Sequence, residues 1–207
     1  MKILLGDNQF FGINHCDLQK GNLTKQQFSN KNSIEDFITK SQKMGLDGFM
    51  INSNQLGYEI VKEYQLEKHK EIHYSIPYPH KYASLVNEEG MLSLLKYFLS
   101  NTSFLNLLIR LPKFLVTRDI KHLMPLITGL EVPKNLPKGS TVYVQNIITD
   151  MFIGIKRFDI LEAFAKDVRK RGYKPGLITL NPIMLDELVR KSTLMNKKDL
   201  TVCFNIN

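Results

Sequence analysis

The chain is poor in cysteine and has no long apolar run, and each shortage removes a class of protein. Cys16 and Cys203 are the only thiols in 207 residues and stand far apart. That excludes a disulfide framework or a cysteine-built zinc site, and it suits a reducing compartment. No uninterrupted apolar stretch approaches the roughly 20 residues of a membrane-spanning helix. The nearest, Phe104 to Val116, is broken by Arg110, Pro112 and Lys113. The opening MKILLGDNQFFG lacks the apolar centre of a secretion signal. A cytoplasmic location without a membrane span is therefore the expectation. The motifs GxSxG, HExxH and the P-loop are absent as well. His15, Asp7 and His80 show no pair at the spacing of a known metal motif, so no metal site is expected.

What is present is an ordinary hydrophobic content of 43%, enough for one sizeable core, and a formal charge of +8. A basic balance favours anionic partners. Much of the excess sits at a helix end, in Lys166, Arg169, Lys170 and Arg171, where cations complement the helix dipole. No basic motif is interleaved with aromatics. The surface reads as solvated and basic, with a small polar or anionic molecule as partner and no nucleic acid.

Short apolar strands alternate with amphipathic helices. Strands are expected near Lys2, Gly48, Ile72, Thr141, Leu177 and Leu200. Asp17 to Asn32 reads as a loop, and Ser33 with Asp36 as a capping box opening a helix that Gly45 ends. Asp159 with Glu162 repeats that box before a helix ended by Gly172, and Asn181-Pro182 starts another. Residues 85–138 read as a helical insertion. The pattern predicts one α/β domain over 1–207 with a parallel sheet covered on both faces. Two arrangements compete: a (β/α) barrel of TIM type and an open doubly wound sheet. The open sheet usually carries a glycine-rich turn after its first strand, where this chain has GDNQFFG. The barrel is the reading adopted.

Side-chain amides gather after the predicted strands: GDNQ at 6–9, INSNQ at 51–55, VQN at 144–146, LN at 180–181 and FNIN at 204–207. In a parallel barrel all strand C-termini share one face, where active sites are built. Asn8, Asn52, Asn54, Gln145, Asn146 and Asn205 are therefore candidate substrate-binding residues. Each amide offers a donor and an acceptor and stays neutral, which suits hydroxyl-rich or phosphorylated molecules. The competing role is capping, since Asn favours turns and helix N-caps. Asn181 reads as a cap. Asp7 follows the first strand and is the first candidate acid–base group, against the alternative of a loop aspartate bonding its own backbone. His15 and His80 are further catalytic candidates, and Lys81 is an anion-binding one. Asp150 is a further acid.

The segments LGDNQFFGINH, PYPHKY and VQNIITD together resemble a group of uncharacterised microbial TIM-barrel-like proteins. A second likeness covers the first third of the chain. Leu5-Gly6, GLDGF at 45–49 and LGYEIVKEY at 56–64 resemble aldo/keto reductases. That likeness implies a nicotinamide-dependent reduction. It departs from the family at the chemistry: the catalytic aspartate falls near Met50 or Ile51, and the usual tyrosine near Gln55 or Leu56.

Three functions follow for comparison. The first is an enzyme acting on a small polar, phosphorylated or sugar-like substrate at the strand C-terminal face, with no cofactor assignable. The second is an NADPH-dependent aldo/keto-reductase-like oxidoreductase. The third is a non-catalytic binding or scaffold protein using the apolar segment 104–116. Six strands fall short of the eight of a closed barrel, so an incomplete barrel is expected, with self-association through its exposed edge.

Overall fold

The structure is a computed structural model and describes residues 2–12, 17–63, 71–77, 116–122, 124–192, 195 and 198–204. Six strands form one parallel sheet in sequential order: β1 (Leu4–Gly6), β2 (Gly48–Asn52), β3 (Glu71–Ile76), β4 (Thr141–Val144), β5 (Lys174–Ile178) and β6 (Thr201–Cys203). The sheet curls into a half-barrel. An order without reversal has no switch point, which sets aside the open doubly wound arrangement.

Seven α-helices lie among the described residues: α1 (Leu18–Gln27), α2 (Lys31–Lys43), α3 (Gln55–Glu63), α4 (Met124–Glu131), α5 (Asn146–Gly154), α6 (Phe158–Lys170) and α7 (Pro182–Lys191). No helix of the described residues is long and apolar enough to cross a membrane.

Side chains alternate across a strand, so the register sorts each strand into two faces. Phe49, Ile51, Ile72, Tyr74, Ile76, Val142, Val144 and Leu177 lie on one of them and form the core with Ile34 and Ile38 of α2, Ile60 of α3, Phe164 and Val168 of α6, and Leu185 of α7. The opposite face carries Asn52, His73, Ser75, Thr141, Tyr143 and Thr201. The second face is polar, and its groups pair with one another. His73 Nδ1 lies 2.8 Å from the Tyr143 hydroxyl. The Tyr143 ring lies against Gly176, where a Cβ would meet ring carbon Cδ1 at 2.4 Å.

Several helix starts differ from expectation. Asp17 to Asn32 is not a loop: Asp17 accepts from the N–H groups of Gln19 and Lys20 and opens α1. The cap of α2 is Asn30, which accepts from Ser33 N at 2.9 Å, so Ser33 is inside the helix rather than before it. α6 starts after Arg157 without a side-chain cap. Asp159 instead holds the Arg157 guanidinium, and Glu162 accepts the Ser192 hydroxyl. At α6 the two groups at a cap-compatible spacing thus have other side-chain partners. Asn181 does cap α7, accepting from Met184 N at 3.2 Å. Gly45 and Gly172 have φ of 87° and 82° and end α2 and α6 in the left-handed conformation.

One glycine sets the geometry of the strand-end face. Gly57 sits in α3, where glycine is ordinarily unfavourable. A Cβ there would lie 2.0 Å from the Asn52 carbonyl oxygen and 2.7 Å from Ile51 Cγ2. The absent side chain lets α3 pack directly on the end of β2. Of the expected insertion 85–138, the part from 116 contains a short 3-10 turn (Ile120–His122) and α4; the remainder lies outside the described residues.

Candidate functional site

The C-terminal ends of the first four strands are joined by side-chain hydrogen bonds. Asp7 directly follows β1. Its Oδ2 accepts from the backbone N–H of Asn52 at 2.8 Å, and its Oδ1 accepts from Asn52 Nδ2 at 2.7 Å. Asn52 Oδ1 then accepts from the Ser75 hydroxyl at 2.9 Å and from Gln145 Nε2 at 2.8 Å. Gln145 Nε2 also donates to Ser75 Oγ at 3.0 Å. Asn52 is the hub because its amide bonds all three of the others, donating to Asp7 and accepting from Ser75 and Gln145.

The topology makes this row. Parallel strands in sequential order end on one edge, and the register pairs Asn52 with Ser75. Gln145 follows the last residue of β4, and its own N–H bonds the Ile76 carbonyl at 3.0 Å, which continues the ladder by one residue. Asp7 is 3% exposed. Burial raises its pKa above the ordinary carboxylate value, and the hydrogen bonds from Asn52 work against that rise. The carboxyl is bonded chiefly to Asn52, so the loop-aspartate alternative does not describe its main contacts.

A second strand-end cluster lies beside β5. Asp150, on α5, accepts from the Thr179 hydroxyl and from Leu180 N, the latter at 2.9 Å. Thr179 Oγ1 in turn accepts from Asn181 N at 2.9 Å. This carboxylate ties α5 to the chain leaving β5.

The other candidates divide as follows. Asn8 lies in a 3-10 turn after Asp7 and is exposed, outside the hydrogen-bonded row. Asn54 caps α3, its Oδ1 accepting from Gly57 N at 2.8 Å. Asn146 is the first residue of α5 and takes no part in the row. His15, Cys16, His80, Lys81 and Asn205 lie outside the described residues, as do residues 104–115 of the apolar segment. Met50 pairs between Gly6 and His73, and Ile51 is core, so neither position marked by the aldo/keto reductase likeness carries a proton-transfer group. No group of three or more His, Cys, Asp or Glu among the described residues is placed to hold a metal ion.

Ser75 was not a candidate from the sequence, nor were His73 and Tyr143. The available signal was alternation within IHYSI, which puts His73 and Ser75 on one face and Ile72, Tyr74 and Ile76 on the other. His73 is buried, which lowers its pKa, while Glu71 at 3.4 Å opposes the shift. Burial raises the Tyr143 hydroxyl well above its ordinary value. No known protein family, curated protein or solved structure shows significant similarity to the chain.

Proposed function

We propose that this chain is a barrel of TIM type whose strand C-terminal face binds and transforms a small hydroxyl-rich molecule. The observation that carries the reading is the Asp7–Asn52–Ser75–Gln145 row, four polar side chains from four successive strand ends held in one hydrogen-bonded line. Parallel sheets of this kind build sites at that edge. Gln145 is half-buried and its amide oxygen is not used by the row, so it is the group offered to a ligand hydroxyl. Asn52 and Ser75 are positioning residues behind it. Asp7 is the one carboxyl of the row. Its raised pKa brings proton exchange nearer to neutral pH, as an acid–base group requires. We place the chain in a reducing, cytoplasmic setting, since its two cysteines stand far apart in the sequence.

The test is a thermal-shift and calorimetric screen of neutral sugars, polyols and hydroxy acids against wild type and Gln145→Leu. A compound that binds the wild type and loses about tenfold or more in affinity in the variant supports the reading, tenfold being about 1.4 kcal/mol. Binding of equal strength in both proteins, or no binding by any compound, would remove it.

A further inference from the structure

A second cleft of about 930 Å³ opens on the other side of the sheet. Its walls include Ser53, Asn54, Tyr58 and Lys62 from the end of β2 and from α3, with Glu131 and Lys134 opposite. Tyr74 lines it too. Tyr74 and Ser75 are neighbours on β3 and point to opposite faces, so this cleft is separate from the Asp7–Gln145 row.

Two polar groups in its wall are left without partners. Ser53 is 4% exposed, and its Oγ makes no hydrogen bond among the described residues. Asn54 Nδ2 is also buried and unpartnered, although Asn54 Oδ1 is engaged with Gly57 N. Buried polar groups are nearly always bonded, and leaving one unsatisfied costs about 1–3 kcal/mol. Both belong to consecutive residues that line one cleft, and a ligand held there can supply the missing partner.

The chemistry of that partner follows from the wall. Both orphan groups can donate. They stand at the start of α3, whose first N–H groups have no partner within the helix and whose dipole is positive at that end. Asn54 covers the third residue of the helix and leaves the N–H groups of Gln55 and Leu56 outside the helical ladder. Lys62 and Lys134 add two positive charges to one negative charge from Glu131. Lys62 is about 12 Å along α3 from Asn54, at 1.5 Å per residue, so the cleft suits a molecule longer than a bare ion.

We propose that this cleft binds a small phosphorylated polyol. Its phosphate takes the Ser53 hydroxyl, the Asn54 amide and the first N–H groups of α3, and its hydroxyls face Glu131. The proposal does not depend on the reading of the Asp7–Gln145 row.

The experiment titrates the whole chain with inorganic phosphate, ribose 5-phosphate and ribose, read by thermal shift and calorimetry. Wild type is expected to be stabilised by ribose 5-phosphate, more weakly by phosphate, and not by ribose. Ser53→Ala supplies the decisive comparison. Its Oγ makes no bond in the free protein, so without ligand the variant should melt at or above the wild-type temperature. Its affinity for ribose 5-phosphate should fall at least about tenfold, equivalent to about 1.4 kcal/mol. Arg190→Ala, on α7 and not in the wall of the cleft, should leave that affinity unchanged, which shows that the loss belongs to Ser53. The proposal is overturned if neither phosphate compound stabilises the wild type, if ribose binds as well as its phosphate, or if Ser53→Ala binds like wild type. A clear loss of stability in unliganded Ser53→Ala would also overturn it, because it would mean that the hydroxyl already has a partner.

Discussion

Asn52→Asp is the sharpest perturbation of the strand-end row. Asn52 Nδ2 stands 2.7 Å from Asp7 Oδ1. The substitution replaces that N–H by a second carboxylate oxygen in the same place. Two ionised carboxylates at that separation repel by about 6 kcal/mol at an effective dielectric constant near 20. Proton sharing limits the cost. The protonated pair keeps every bond of the row, because the acid O–H donates to Asp7 and the remaining oxygen accepts from Ser75 and Gln145. Holding a proton at pH 7 on a carboxyl whose unfolded pKa is near 4 costs about 4 kcal/mol, from about 1.4 kcal/mol per pH unit. The expected loss relative to wild type is therefore about 4 kcal/mol at pH 7, set by protonation rather than by repulsion.

The sign of the pH dependence follows from the same step. The shared proton is held with a folded-state pKa above the unfolded one. The associated stability is fully present below the unfolded pKa and is lost as pH rises through the folded value. The deficit should shrink by about 1.4 kcal/mol per pH unit from pH 7 and approach zero near pH 4. Urea midpoints for variant and wild type at each pH measure it, provided the m-values agree. The double variant D7N/N52D exchanges amide and carboxylate across the pair. The amide at 7 donates to the carboxylate at 52, which still accepts from Ser75 and Gln145. Its stability should return to within about 1 kcal/mol of wild type, the net worth of a single hydrogen bond. A deficit independent of pH, or a double variant no better than Asn52→Asp, would refute the reasoning.

Two further outcomes test the surroundings of the row. Gly57→Ala should destabilise the fold by about 2 kcal/mol, although alanine is the better helix former by about 1 kcal/mol, because the new Cβ meets the Asn52 carbonyl oxygen; a thermal melt at or above wild type would contradict the close approach. His73 has a lowered pKa from burial, so its contribution is present above about pH 6.5 and is lost as pH falls through its folded value. His73→Gln should flatten the stability profile just below pH 6.5 by up to about 1.4 kcal/mol per unit, and an unchanged slope would show that another group titrates there.

The sequence by itself determined the local grammar of the chain. Apolar runs bounded by turn residues located the six strands of the described residues, with starts within three residues of those observed, since burial of a short parallel strand demands such a run. Gly45 and Gly172 ended helices because a left-handed φ is open to glycine, and Asn181 capped α7 through its own neighbours. The amides after the strands pointed to one edge, and Asp7, Asn52 and Gln145 meet there. Tertiary structure decided what local pattern does not encode. Asn8 and Asn146 have the same chemistry as Asn52, but only Asn52 lies in register with Ser75 and within reach of Asp7, a pairing set by strand register across 45 and 23 residues. Asp159 and Glu162 have the spacing of a capping box, yet Arg157 and Ser192 claimed them, because a charged or bonded partner outcompetes a free backbone N–H. The polar face of the sheet was hidden for a related reason. Tyr143 reads as a core residue by composition, but the curl of the sheet brings His73 to its hydroxyl and Gly176 to its ring, and those distances exist only once the strands are side by side.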